Sequence, residues 1–159
     1  MKNAVSAMIL ILGTLFPTAA NSESQVVFRQ ANHECTLDYD RSAFVVSSID
    51  SENYRRFSRP DPETYFRVTA LANDENMTPE KIRNGYLLKR GRKDLVYDLT
   101  KGQFLVLSGY RGQNIFYTKI ALSGDNKTIC VLDIFYPRKL RRSMDSEVTR
   151  MSQSFAAKN

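Results

Sequence analysis

Residues 95–137 read LVYDLTKGQFLVLSGYRGQNIFYTKIALSGDNKTICVLDIFYP, and the pattern of this stretch decides the fold. Four runs rich in β-branched and aromatic residues, 95–99, 104–110, 115–122 and 128–136, read as strands. They are separated by Thr100-Lys101-Gly102, Arg111-Gly112-Gln113-Asn114 and Ser123-Gly124-Asp125-Asn126-Lys127. Each connection is short enough to close an antiparallel hairpin, so the stretch is predicted to be a four-stranded meander. Ser108-Gly109-Tyr110-Arg111-Gly112 falls inside one of these hairpins, and its glycines are expected to supply turn geometry. A phosphate cradle would need them between a strand and a helix.

Helical patterning lies on both sides of the meander. Downstream, Pro137 opens a segment in which Leu140, Met144, Val148, Met151 and Phe155 recur at spacings of four, four, three and four. That is the apolar stripe of an amphipathic helix. Upstream, Thr78 is a predicted N-cap, Pro79 fits the first helical position and Glu80 complements the positive helix end. Ile82, Tyr86 and Leu87 give this helix an apolar face, and Gly91 ends it. Earlier still, YFRVTALA at 65–72 reads as a strand, as do 36–40, 44–49 and 54–58, with Pro60-Asp61-Pro62 as a turn. The predicted class is α+β: an antiparallel sheet of about six to eight strands with two helices packed on one face.

The N-terminus carries an address. Lys2 precedes an uncharged apolar run, AVSAMILILGTLF at 4–16, broken by Pro17 and followed by Thr18-Ala19-Ala20. The run is shorter than the roughly 20 residues needed to span a bilayer, and the small residues suit cleavage by signal peptidase. The expected organisation is therefore a cleaved signal peptide at 1–20, a polar and loosely attached segment at 21–34, and a single α+β domain at 35–156. No stable membrane span is expected after cleavage. Export favours pairing of the two cysteines, Cys35 and Cys130, as a disulfide. Two buried free thiols are the competing reading.

The segment from Phe104 to Tyr117, with its Ser-Gly-x-x-Gly-x-x-x-Phe-Tyr spacing, resembles one found in small exported bacterial proteins of unknown function. The Tyr136-Pro137 step followed by a terminal amphipathic helix is similar to them as well. The order of elements resembles the Mog1/PsbP-like α/β fold, best in the C-terminal half. The resemblance implies a binding or assembly role and no catalytic residues.

Composition narrows the function further. One His and two Cys remove most metal-site and Cys-His nucleophile arrangements, and no Gly-x-Ser-x-Gly, P-loop or His-Glu-x-x-His motif is present. His33 lacks an orienting partner, because adjacent Glu34 points to the opposite side of an extended chain. Asp38 and Asp40 share one side of an extended run and read as a solvated edge or turn. No cofactor is expected. The formal charge of +6 rests on clusters: Lys89, Arg90, Arg92 and Lys93 after the first helix, Arg138, Lys139, Arg141 and Arg142 at the start of the second, and Arg55, Arg56 and Arg59. Two clusters side by side would form a patch for an anionic partner, and apart they are solvated faces. The RNP-type aromatic signature is missing, so nucleic acid is not an expected partner. Among the aromatics Tyr110, Phe116, Tyr117, Phe135 and Tyr136, neighbours Phe116 and Tyr117 must face opposite sides of the sheet, one filling the core and the other an exposed face or groove. The expected function is an exported, periplasmic, non-catalytic binding or assembly factor for a protein or envelope component. A carrier or sensor of a small apolar or anionic ligand held between sheet and helix is the second reading. A hydrolytic enzyme is the last.

Overall fold

A computed structural model describes residues 25–51 and 54–158. The expected signal peptide, and residues 21–24 of the polar segment, lie outside the described residues. The meander forms as β6 (Leu95–Lys101), β7 (Phe104–Arg111), β8 (Asn114–Leu122) and β9 (Thr128–Pro137). These join β3 (Val45–Ser51), β4 (Tyr54–Ser58) and β5 (Tyr65–Ala72) in one seven-stranded antiparallel sheet, in the order β3-β4-β5-β9-β8-β7-β6. Gly112 supports the tight β7–β8 turn at φ +61°, a conformation that side-chain-bearing residues rarely adopt. The helices are α1 (Pro79–Arg90) and α2 (Arg141–Ser154), the latter entered through a 3-10 turn at Arg138–Leu140. Thr78 caps α1 by accepting from the Lys81 N–H, with Pro79 in its first turn.

Alternation along the strands divides the apolar side chains between two cores. On one face, Phe66 and Val68 of β5 and Leu132 and Ile134 of β9 pack with Met144, Val148 and Met151 of α2. On the other, Leu105 and Leu107 of β7 and Ile120 and Leu122 of β8 pack with Ile82 and Tyr86 of α1. The expectation of two helices on one face is thus corrected: they lie on opposite faces. Strand order is the physical reason. β9 occupies the place beside β5, so α1 serves as the crossover that carries the chain from β5 to the far edge at β6. Helical spacing identifies which side of a helix is buried, and carries no information about which sheet face receives it.

The face covered by α2 is shared with a separate three-stranded sheet, ordered β1-β2-β10, made of β1 (Gln25–Gln30), β2 (His33–Leu37) and β10 (Ala156–Lys158). The segment expected to be loosely attached is corrected here. From Gln25 it forms a strand antiparallel to β2, and its Val27 and Phe28 are buried in the larger core. Three apolar residues amid polar flanks were too short a run to read as a strand. The folded unit therefore extends on both sides of 35–156, since β10 also pairs with β2. β2 ends at Leu37 because Asp40 turns the chain, its carboxylate accepting from the Ser42 and Ala43 N–H groups. Cys35 on β2 and Cys130 on β9 are fully buried and brought to disulfide distance, with Cα atoms 5.7 Å apart, so the pair ties the small sheet to the large one.

Candidate functional site: the basic end of the sheet

The loop after α1 is held against β7 by one close approach. The Tyr110 N–H donates to the Asp94 carbonyl at 2.9 Å. This is possible because Gly109 has no side chain: a Cβ there would fall inside the Asp94 carbonyl oxygen and meet Leu95 Cα at 3.0 Å. Gly109 is thus a packing residue in a strand, whereas Gly112 does supply turn geometry. Gly109→Ala is expected to lower stability by about 1–3 kcal/mol through this overpacking. A shift of the urea midpoint at unchanged m-value checks it.

Sequence-distant cations lie near the β7–β8 turn, divided between the two faces of the sheet: Arg138 on the face of α2, Arg90 and Arg111 on the face of α1. Arg138 donates its backbone N–H to the Gln113 carbonyl at 2.9 Å, and its guanidinium lies 3.8 Å over the ring of Tyr110. Arg111, at the end of β7, lies over Phe116 and Phe135. Arg90, at the end of α1, lies over Tyr86 and lines a cavity of about 350 Å³ together with Arg111, Asp94 and Phe116. All three arginines are exposed, and each stacks on an aromatic ring, which restricts the guanidinium without neutralising it. At the start of α2 there is no acidic residue and Leu140 makes no side-chain cap, so Arg141 and Arg142 add their charge to the positive end of a helix dipole.

Not all of the predicted cations belong here. Lys139 lines a different depression, beside Asp61 and Glu63 of the β4–β5 turn. Lys89, Arg92, Lys93 and Arg142 are exposed. The third cluster is divided: Arg55 donates to the Val27 carbonyl at 3.1 Å, Arg59 covers Phe44, and Arg56 lies over Tyr65 on the opposite face. Arg111 was missed as a site residue because it reads as part of a turn. The short Gly112-Gln113 connection was the signal that places it at the sheet end beside Pro137, through the β7–β8 and β8–β9 pairings.

A second concavity, about 550 Å³, lies between α2 and the β6–β8 part of the sheet, with Tyr97, Tyr110, Tyr117 and Tyr136 in its lining. Phe116 and Tyr117 face opposite sides, as alternation requires. Phe116 packs under Arg111, and the Tyr117 hydroxyl meets the Ser152 hydroxyl at 2.5 Å. Burial pushes the Tyr117 phenol above its ordinary pKa. Lys119, on the same face, donates to the Ser152 and Phe155 carbonyls at 2.6 and 3.2 Å and so caps the C-terminus of α2. Burial lowers its pKa from the ordinary lysine value.

The candidate catalytic groups are engaged in structure. His33 Nδ1 is 2.8 Å from the Thr128 hydroxyl, and Glu34 pairs with Arg29. The Asp40 carboxylate is held below its usual pKa, first by the Ser42 hydroxyl. Among the described residues no group of three or more His, Cys, Asp or Glu side chains could hold a metal ion, and no helix is long and apolar enough to cross a membrane.

An antiparallel seven-stranded sheet with α1 on one face, and α2 and a small terminal sheet on the other, defines a PsbP-like α/β fold. Among solved structures, the chain is similar to cyanobacterial PsbP (CyanoP) from Synechocystis sp. PCC 6803, with a TM-score of 0.55 and 9% identity over 76% of this chain and 85% of that one. It is also similar to a protein from Bacteroides thetaiotaomicron VPI-5482, with a TM-score of 0.50 and 14% identity over 79% of this chain. The match spans 45% of that longer chain. No protein-family model matches the sequence, and no curated protein does. At these identities the likeness is one of fold.

Proposed function

We propose that this protein is an exported, non-catalytic binding or assembly factor that docks an anionic partner on the basic end of its sheet. The observation that carries the reading is the exposure of Arg90, Arg111 and Arg138, from three different elements, at the β7–β8 end of the sheet, the first two on the face of α1 and the third on the face of α2. Stacked guanidinium groups keep their edges free for carboxylate or phosphate oxygens, and a local excess of one charge raises the rate of encounter. The apolar run at 4–16 and the paired cysteines support export into an oxidising compartment, the periplasm in a bacterium. A binding role is favoured over catalysis because His33, Glu34 and Asp40 are all occupied in holding the fold.

The test uses a fluorescein-labelled oligoglutamate peptide as the acidic probe. Its binding to the full protein should weaken with added salt, and should fall at least roughly tenfold in Arg111→Glu with Arg138→Glu. Equal affinity for the charge-reversed and unaltered proteins would sink the reading.

A further inference from the structure

The face of the sheet that carries α1 is only partly covered, since the helix packs on β6, β7 and β8. On β5, Phe66, Val68 and Ala70 are fully buried toward α2, whereas Tyr65, Arg67 and Thr69 on the α1 side are half-buried and Leu71 is exposed. The strip beside α1 runs from β9 through β5 and β4 to β3. At the usual strand spacing it is about 14 Å wide, room for one helix of about 10–12 Å.

The centre of this strip is positively charged. Arg56 of β4 and Arg67 of β5 are direct cross-strand partners on it, and like charges so opposed destabilise a sheet. Both are held by rings: Arg56 lies 3.8 Å over Tyr65, which stacks on Phe135, and Arg67 lies over Phe135 and Tyr54. Arg67 meets the Asp133 carboxylate at 3.2 Å, and Asp133 also accepts from the Thr118 hydroxyl at 2.6 Å. Arg67 Nε is buried with no hydrogen-bond partner among the described residues, an unmet donor that costs stability. Arg56 donates to neutral groups, the Ser58 hydroxyl and the Pro62 carbonyl. Asp61 and Glu63 of the nearby turn line the depression that holds Lys139. Apolar surface flanks the two arginines, at Val45 on β3 (61% exposed) and Leu71 on β5 (42%).

We propose that this strip docks an amphipathic helix of a partner protein, side by side with α1, with acidic side chains against Arg56 and Arg67 and apolar ones against Tyr65 and Leu71. Charge complementarity and the one-helix width carry the choice of occupant. A second copy of this chain is a poor fit, because α1 and α2 each carry more basic than acidic residues. Arg111 of the docking surface borders the strip over Phe135, whereas Arg56 and Arg67 lie outside that surface, so either reading can fail alone.

The probe is an alanine-based peptide of about 18 residues, with leucines along one side and glutamates flanking them, titrated into the full protein and followed by amide chemical shifts. Saturable shifts at Arg56, Arg67, Thr69 and Leu71 are expected. A version with lysine in place of glutamate, and one broken by central prolines, should each bind at least roughly tenfold more weakly. Arg56→Glu, which sets an opposite charge across from Arg67, should weaken the glutamate peptide roughly tenfold. Arg138→Glu, on the other face, should leave its binding unchanged. The proposal is overturned by an absence of saturable shifts below about 1 mM, by shifts that map to the β7–β8 turn instead, by equal binding of the lysine or proline peptide, or by an Arg56→Glu variant that binds as the unaltered protein does. Concentration-dependent shifts at the same residues without peptide would also overturn it, by making a second copy the occupant.

Discussion

Replacing Cys35 and Cys130 together by alanine is expected to lower the stability of the domain by about 4 kcal/mol, mostly by freeing the unfolded chain. The two positions are separated by 95 residues, so their bridge closes a loop of more than half the chain. Loop closure of this length is worth about 4–5 kcal/mol in the chain-entropy account. The pair also joins β2 to β9, and so couples the small sheet to the centre of the large one. Urea unfolding of protein from an oxidising compartment, with and without reductant, measures the effect. Reduction of the unaltered protein should reproduce the double variant. The melting temperature should fall by roughly 10–15 °C. A change below about 1 kcal/mol would show that the cysteines contribute as buried thiols only.

Phe66→Ala is expected to cost about 3–5 kcal/mol. Phe66 is fully buried on β5, stacks on Phe57 at 4.5 Å between ring centroids, and meets Tyr39 and Phe44 edge-on at 5.2 and 5.1 Å. Four rings from β4, β5 and the β2–β3 connection thus form an aromatic part of the core shared with α2. Truncation removes both the apolar burial and the aromatic contacts, and the neighbouring rings can fill the void only in part. Phe66→Leu, which leaves a smaller void, should recover more than half of the loss. Leu88, 89% exposed on α1, provides the comparison: Leu88→Ala should change stability by less than about 0.5 kcal/mol. Equilibrium denaturation of the three variants checks the ranking.

Local signals made most of the elements legible. Thr78-Pro79 and Gly91 mark the ends of α1, and the recurrence of Met144, Val148, Met151 and Phe155 marks the buried stripe of α2. The short turns fixed the order of the meander, because connections of two to five residues leave only an antiparallel neighbour. Long-range pairing was not legible. β1 contributes Val27 and Phe28, two adjacent residues, to the larger core and β10 has three residues, so neither shows an alternation long enough to register. The face taken by α1 depends on β9 inserting beside β5, a pairing between residues such as Tyr65 and Phe135 that lie far apart in sequence. The same limit applied to the sites. Each basic cluster was visible, but its place at this end of the sheet rests on the Gly109 close approach and the stacking of Arg138 on Tyr110.

The central claim is that the protein engages its partner through the end of the sheet at the β7–β8 turn. A photocrosslinking amino acid at Gln113, an exposed turn position between Arg111 and Arg138, tests it in the living cell. The account predicts a discrete adduct from Gln113 that disappears when Arg111 and Arg138 are changed to glutamate. It predicts no such adduct from Lys101, the last residue of β6, beside the β6–β7 turn at the opposite end of the sheet. An adduct from Lys101 and none from Gln113 would contradict it.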